Sequence, residues 1–188
     1  MVISQSEYYI SPEEYLEGEK GSEIKHEYID GQVYAIAGAN DAHVTVSMNV
    51  SMLLRNHLRG SDCRVYMLDM KVQIDVINRY FYPDVMVSCD PQDRESEYFK
   101  SHPCLIIEVL SESTESYDRG KKFASYRHLK SLQEYVLISP DQMSVECFRR
   151  NQEGHWVLYP YEKEEVHLTS VDFRCAIAEI YEDVVLVP

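Results

Sequence analysis

The chain has 188 residues, of which 45% are hydrophobic, enough for a globular domain with its own apolar core. Its formal charge of −14 argues against loose electrostatic adhesion to DNA or to anionic membranes, although a local basic groove remains compatible with it. No apolar run approaches the ~20 residues needed to span a bilayer, and the start, MVISQSEYYISPEEY, lacks the basic and apolar regions of a secretory signal.

In SPEEYLEGE, Ser11 precedes Pro12 at the first helical position and Glu14 two residues later, which predicts a capping box on a short helix. KHEYIDGQVYAIA follows. Asp30-Gly31 between two β-rich segments predicts a two-residue hairpin. Asn40 or Asp41 can cap the next helix, whose apolar stripe is Val46, Val50, Leu53, Leu54 and Leu58. Beyond Gly60, RVYMLDMKVQIDV alternates as a strand. YFYPDVMVS is expected as a second strand, with Pro83 near its start, where a missing ladder donor does least harm. CDPQDRESEYFKSHP reads as a polar loop and CLIIEVL as a third strand. STESYDRGKKFASYRHLK is expected to be helical, with Ser113 or Thr114 as cap, and EYVLIS to be a fourth strand ended by Pro140. SVECFRR and HWVLYPY read as a hairpin. A short strand near VHLTS and a small helix around CAIAEIYE close the chain. The expected class is α/β (α+β): one domain over 1–188, with an α-β-β-β-α-β core and hairpins added at both ends.

Five cysteines, an odd number with no C-x-x-C pair, indicate neither a zinc site nor a disulfide framework. Reduced thiols and a cytoplasmic location are the resulting expectation. The basic, acid-free stretch RGKKFASYRHLK, with Arg119, Lys121, Lys122, Arg127 and Lys130, reads on composition as a solvated helix face.

Two carboxylates stand out. Glu108 interrupts the apolar run Leu105-Ile106-Ile107-Glu108-Val109, and Asp84 follows Pro83 at the head of Val85-Met86-Val87. Taken singly, Asp84 reads as a turn residue and Glu108 as the partner of a buried Arg or Lys. Consecutive strands are usually neighbours, so the pair could converge. A divalent cation, Mg²⁺ or its substitute Mn²⁺, would then relieve their repulsion. Lys122, early in the following helix, can return to the end of that strand. Asp118, four residues earlier, can form an ordinary i,i+4 ion pair with it.

Asp after Pro, then Glu in the next apolar strand of such a core, resembles the PD-(D/E)XK nuclease superfamily. More closely, HEYIDGQVYAIAGA, YPDVMVSCD and PCLIIEVLSESTESYDRGKKFASYRHLKSLQEYVLI resemble the Uma-type family of restriction-endonuclease-like proteins, over nearly the whole chain. The resemblance implies a restriction-endonuclease-like mixed sheet. It also implies Asp84 and Glu108 as Mg²⁺ ligands, DNA as substrate and a homodimer. It departs from the superfamily at the lysine of E-x-K, where Leu110 stands. Lys122 is then expected to substitute, with Lys121 as the alternative. The two point ~100° apart on a helix, so at most one of them should enter the site. Accessory candidates are Glu27, in the first hairpin, and His43, expected mainly to sit at a helix N-terminus. Asp69 reads better as a bulge or surface residue, and Tyr126 as packing over the site. A non-catalytic nucleic-acid-binding or regulatory member of the fold, or a hydrolase of a smaller phosphodiester, is the alternative.

Overall fold

The computed structural model describes residues 9–163 and 165–186. Helix α1 (Pro12–Glu19) begins with the expected reciprocal cap: the Ser11 hydroxyl accepts from the Glu14 amide at 3.2 Å, and the Glu14 carboxylate accepts from the Ser11 amide at 2.8 Å. Strands β1 (His26–Ile29) and β2 (Gln32–Ala35) form a hairpin. Asp30 and Gly31 turn it with φ of 49° and 89°, the two positive values a tight right-twisted turn requires. Helix α2 (Asp41–His57) is capped by Asn40, whose side chain accepts from the His43 amide at 2.9 Å. Val46, Val50, Leu54 and Leu58 are its buried face.

Next come β3 (Arg64–Met67), β4 (Lys71–Ile74), β5 (Arg79–Phe81), β6 (Val85–Ser88), β7 (Phe99–Lys100) and β8 (Leu105–Val109). Helix α3 covers residues 115–126. It is followed by β9 (Glu134–Ser139), β10 (Ser144–Arg150), β11 (Trp156–Tyr161), β12 (Glu165–Leu168), β13 (Phe173–Ala176) and α4 (Ile177–Ile180). A six-stranded sheet runs β11-β10-β9-β8-β6-β3, a five-stranded sheet β2-β1-β5-β4-β7, and β12 pairs with β13. The expected α-β-β-β-α-β core is α2, β3, β6, β8, α3 and β9. Within it β8 and β9 are parallel, and β6 lies antiparallel between β3 and β8.

Three expectations about the strands are corrected. RVYMLDMKVQIDV is not one strand: the chain turns at Leu68, with φ 56°, so that β3 enters one sheet and β4 the other. YFYPDVMVS breaks at the same level, between β5 and β6, because Pro83 cannot donate to a ladder. The two halves remain paired, β3 with β6 and β4 with β5, so a single bent ribbon joins the two sheets. At the C-terminus the small helix expected around CAIAEIYE is present but begins only at Ile177, because Cys175 and Ala176 belong to the strand that completes a hairpin with β12.

The six-stranded sheet is apolar on both faces, so β6 and β8 are buried throughout. Val85, Val87, Leu105, Ile107 and Val109 face α2, the β12–β13 hairpin and α4. Met86, Ile106 and Leu110 face the other way, against Tyr126, Leu129 and Leu132 and against Val72, Ile74 and Phe81 of the five-stranded sheet. Side chains alternate along a strand, so Glu108 shares the second face with Ile106 and Leu110.

The expectation of reduced thiols is also corrected. Cys63 and Cys89 are joined as a disulfide, while Cys104, Cys147 and Cys175 are free and buried. Arg64 pairs with Ser88 across β3 and β6, so Cys63 and Cys89 are the next residues in register. Spacing along the chain could not reveal a cross-strand pair. No helix among the described residues is long and apolar enough to cross a membrane.

Candidate active site

The site forms where the bent ribbon leaves the six-stranded sheet. β6 and β8 pair antiparallel, with Val85 opposite Ile107 and Met86 opposite Ile106. One step further in that register, Asp84 stands opposite Glu108. The Asp84 carboxylate closes the ladder: one oxygen accepts from the Val109 amide at 2.7 Å, and the other meets Nε2 of His43 at 2.9 Å. His43 stands in the first turn of α2, as expected, and its ring also reaches back to hold Asp84.

Helix α3 supplies the cation. Residues 118–122 form a π turn, a widened turn of the kind that recurs at functional sites. It leaves Asp118 and Lys122 buried side by side, 3% and 6% exposed, where an ordinary surface ion pair had been the simpler expectation. The Lys122 amino group lies 3.0 Å from Glu108 Oε1, 3.0 Å from Glu27 Oε1 and 3.6 Å from Asp118 Oδ1. Tyr126, one turn on and fully buried, donates its hydroxyl to Glu108 Oε1 at 2.9 Å. Glu27 comes from β1 of the other sheet, so the cluster bridges both sheets and α3.

Two candidates do not join it. Lys121 is exposed, its side chain directed away from the buried Lys122. Asp69 is exposed at the bend after β3 and pairs with Lys25. On the outer side of α3, Arg119 is tied to Glu115 and Glu146, Arg127 lies over the Phe123 ring, and Lys121 and Arg127 remain exposed. Two supporting residues carried no sequence signal. Tyr135, on β9, donates its hydroxyl to the Asp118 carbonyl at 3.0 Å, and the Phe81 ring lies 5.9 Å from the Lys122 amino group.

Four carboxylates, Glu27, Asp84, Glu108 and Asp118, thus surround one lysine and one histidine. Burial pushes Glu108 well above the usual carboxylate range; Lys122 pulls it down, but Asp118, Asp84 and Glu27 add to the rise. Asp118 is raised for the same leading reason, burial, against the pull of Lys122. Burial disfavours the Lys122 ammonium, yet Glu108 and Glu27 outweigh it and leave the amine well above the ordinary lysine value. Burial likewise opposes a charged His43, and the hydrogen bond and charge of Asp84 overcome it, raising the imidazole. Both members of the Glu108–Lys122 pair move up because Lys122 is firmly charged but shared.

A mixed sheet with this bent ribbon, carrying acids at a strand end and a lysine from the next helix, has the restriction-endonuclease-like α+β architecture. A crystal structure described as "a putative nuclease belonging to DUF820" from Anabaena variabilis superposes with a TM-score of 0.73, covering 94% of this chain and 99% of that one at 17% identity. The chain belongs to the Uma2 family, described as "Putative restriction endonuclease", which it matches over residues 12–178. Two uncharacterized proteins of Synechocystis sp. are similar to it. One is 43% identical over 173 residues, covering 92% of this chain and 91% of the relative. The other is 34% identical over 160 residues, covering 84% and 90%.

Proposed function

We propose that this protein is a divalent-metal-dependent endonuclease that hydrolyses DNA phosphodiester bonds, with Asp84 and Glu108 as metal ligands and Lys122 as the site cation. The observation that carries this reading is the register. Asp84, just before β6, is one step beyond the Val85–Ile107 pair, which sets it across from Glu108; its carboxylate accepts from the Val109 amide, and the Lys122 amino group touches Glu108.

The donor set fits Mg²⁺, with Mn²⁺ as substitute. Among the described residues no three His, Cys, Asp or Glu side chains form a metal cage. Asp84 and Glu108 would offer two hard carboxylates and leave the other positions to water and phosphate oxygen, as Mg²⁺ prefers. The excess of carboxylates over cations favours a divalent ion electrostatically. A divalent ion held there would supply positive charge to the reacting phosphate and lower the pKa of a water. Lys122 would orient the attacking water and stabilise charge on the phosphate oxygens. Glu27 and Asp118 hold the lysine in place. His43 fixes the Asp84 carboxylate, and Tyr126 fixes that of Glu108. Cutting both strands of a duplex needs two such sites, which a homodimer provides.

The test combines cleavage and metal binding. Wild-type protein with Mg²⁺ or Mn²⁺ is expected to cut plasmid or single-stranded DNA. Asp84→Ala and Lys122→Ala should each lose roughly a hundredfold or more. Calorimetry should find Mn²⁺ binding in wild type and in Lys122→Ala but not in Asp84→Ala. Equal cleavage by wild type and Asp84→Ala removes the assignment. One observation favours a second reading, a non-catalytic nucleic-acid-binding member: Leu110 occupies the usual lysine position and is buried in the apolar core. That reading expects neither Mn²⁺ binding nor cleavage.

A further inference from the structure

The outward face of α2 is unlike an ordinary solvent face. Val44, Met48 and Met52 are 53%, 47% and 57% exposed, at helical spacing, along the line opposite the buried Val46, Val50 and Leu54. At 100° per residue, Asp41, Val44, Met48, Met52 and Arg55 fall within about 80° of arc, one continuous stripe. Its centre is apolar and its ends are charged, acidic at the N-terminus and basic at the C-terminus. Asp41 and Arg55 are both exposed and have no ion-pair partner among the described residues. Beside the stripe, β3 ends the six-stranded sheet, with one side of its backbone unpaired. A cleft of about 330 Å³ runs between them, lined by Met52, Arg55, Arg59, Val65 and Met67 among others.

The stripe is self-complementary about Met48. Turned end for end, position 44 meets 52, 48 meets 48, and 41 meets 55. A second α2 laid antiparallel therefore sets Val44 against the partner's Met52, Met48 against the partner's Met48, and Asp41 against the partner's Arg55 at both ends. We infer that this face is the contact of an isologous homodimer, in which α2 packs antiparallel on α2 of a second copy about a two-fold axis through Met48. A nucleic-acid backbone fits the surface less well. Its middle offers three uncharged apolar side chains where phosphates would want lysine or arginine. Leaving this apolar stripe in water is unfavourable, and a second copy supplies both the missing apolar surface and the opposite charges. The inference shares with the proposed function only the need for two sites; the metal chemistry plays no part in it.

The test uses the full chain without metal or DNA. Light scattering after gel filtration, at tens of micromolar, should give the mass of two chains. Met48→Glu places two like charges at the axis and should give one chain, with the far-UV circular dichroism of the wild type and a cooperative melt that no longer depends on protein concentration. Asp41→Arg and Arg55→Asp should each weaken the dimer by about tenfold, because two rim pairs are lost at roughly two- to fivefold apiece. The double variant Asp41→Arg/Arg55→Asp should recover most of that loss, because the pairs re-form with their signs exchanged. Met48→Cys should cross-link through its own new thiol under mild oxidation. A single-chain wild type, a dimer untouched by Met48→Glu, or a double variant no tighter than the singles overturns the inference. Loss of nuclease activity alone bears on the catalytic reading and leaves this one standing.

Discussion

Glu108 and Glu134 lie on neighbouring strands, β8 and β9, and both carboxylates are buried in the six-stranded sheet. Their surroundings are opposite. Glu134 accepts from Arg149 Nε at 2.8 Å, from the Thr169 and Ser170 amides at 3.1 and 2.8 Å, and from both hydroxyls of that pair. Burial alone would raise it, but the Ser170, Arg149 and Thr169 donors hold it below its usual value. Glu108 has the Tyr126 hydroxyl and a lysine that Glu27 and Asp118 also claim. It is pushed up. A buried acid with surplus donors clamps the fold, here tying the C-terminal hairpin to β9. A buried acid short of donors is left for something else to satisfy.

The comparison breaks most visibly at Glu134. Glu134→Ala strands Arg149 and several amides, and should cost about 3–5 kcal/mol. In a chain of this size that is a melting-temperature loss of roughly 6–20 °C. A loss of only a degree or two would show that the clamp is not structural. Glu108→Gln should go the other way. In metal-free protein it removes an under-satisfied charge and should raise stability by about 1 kcal/mol, while abolishing Mn²⁺ binding. Thermal melts and calorimetry on the same sample read both effects.

The pH dependence separates the two acids by sign. Glu134 has a lowered folded pKa, so its stabilisation is present above the unfolded carboxylate value and is lost as pH falls through the lower, folded one. Glu108 has a raised folded pKa. Its contribution is full below the unfolded value and is lost as pH rises through the raised, folded one. The melting difference between wild type and Glu134→Ala should therefore shrink in acid, and that between wild type and Glu108→Gln should grow above the usual carboxylate range. Mn²⁺ binding should tighten with rising pH, because protons compete with the metal for the carboxylate whose pKa is raised. Parallel pH profiles for the two variants would erase the distinction. The smallest effect is expected for Tyr126→Phe, which removes one donor from Glu108 at about 1 kcal/mol or less and should weaken Mn²⁺ several-fold without changing the fold.

Much of the frame was legible because it is local. Ser11 and Glu14 sit at capping-box spacing, Asp30-Gly31 suits positive φ, and the α2 stripe follows helical period. Asp84 and Glu108 were legible because charge inside an apolar run is conspicuous. The division of 64–88 between two sheets was not, since alternation continues unchanged through the bend at Leu68 and Pro83. The π turn of α3 was hidden for a related reason. No residue pattern along 118–122 separates a π turn from an ordinary helical one, and the burial of Asp118 with Lys122 shows only once the helix is packed on the sheet.

The order of residues determined the elements, their caps and turns, the strand that carries Glu108 and the family to which the chain belongs. Those features depend on interactions within a few positions, or on a pattern repeated along one element. Tertiary structure decided which acids surround Lys122, that Lys122 and not Lys121 turns inward, that His43 holds Asp84, and that Cys63 meets Cys89. Each of these joins residues far apart in the chain. Such contacts are set by strand register and by the packing of two sheets and a helix, and no local spacing encodes them.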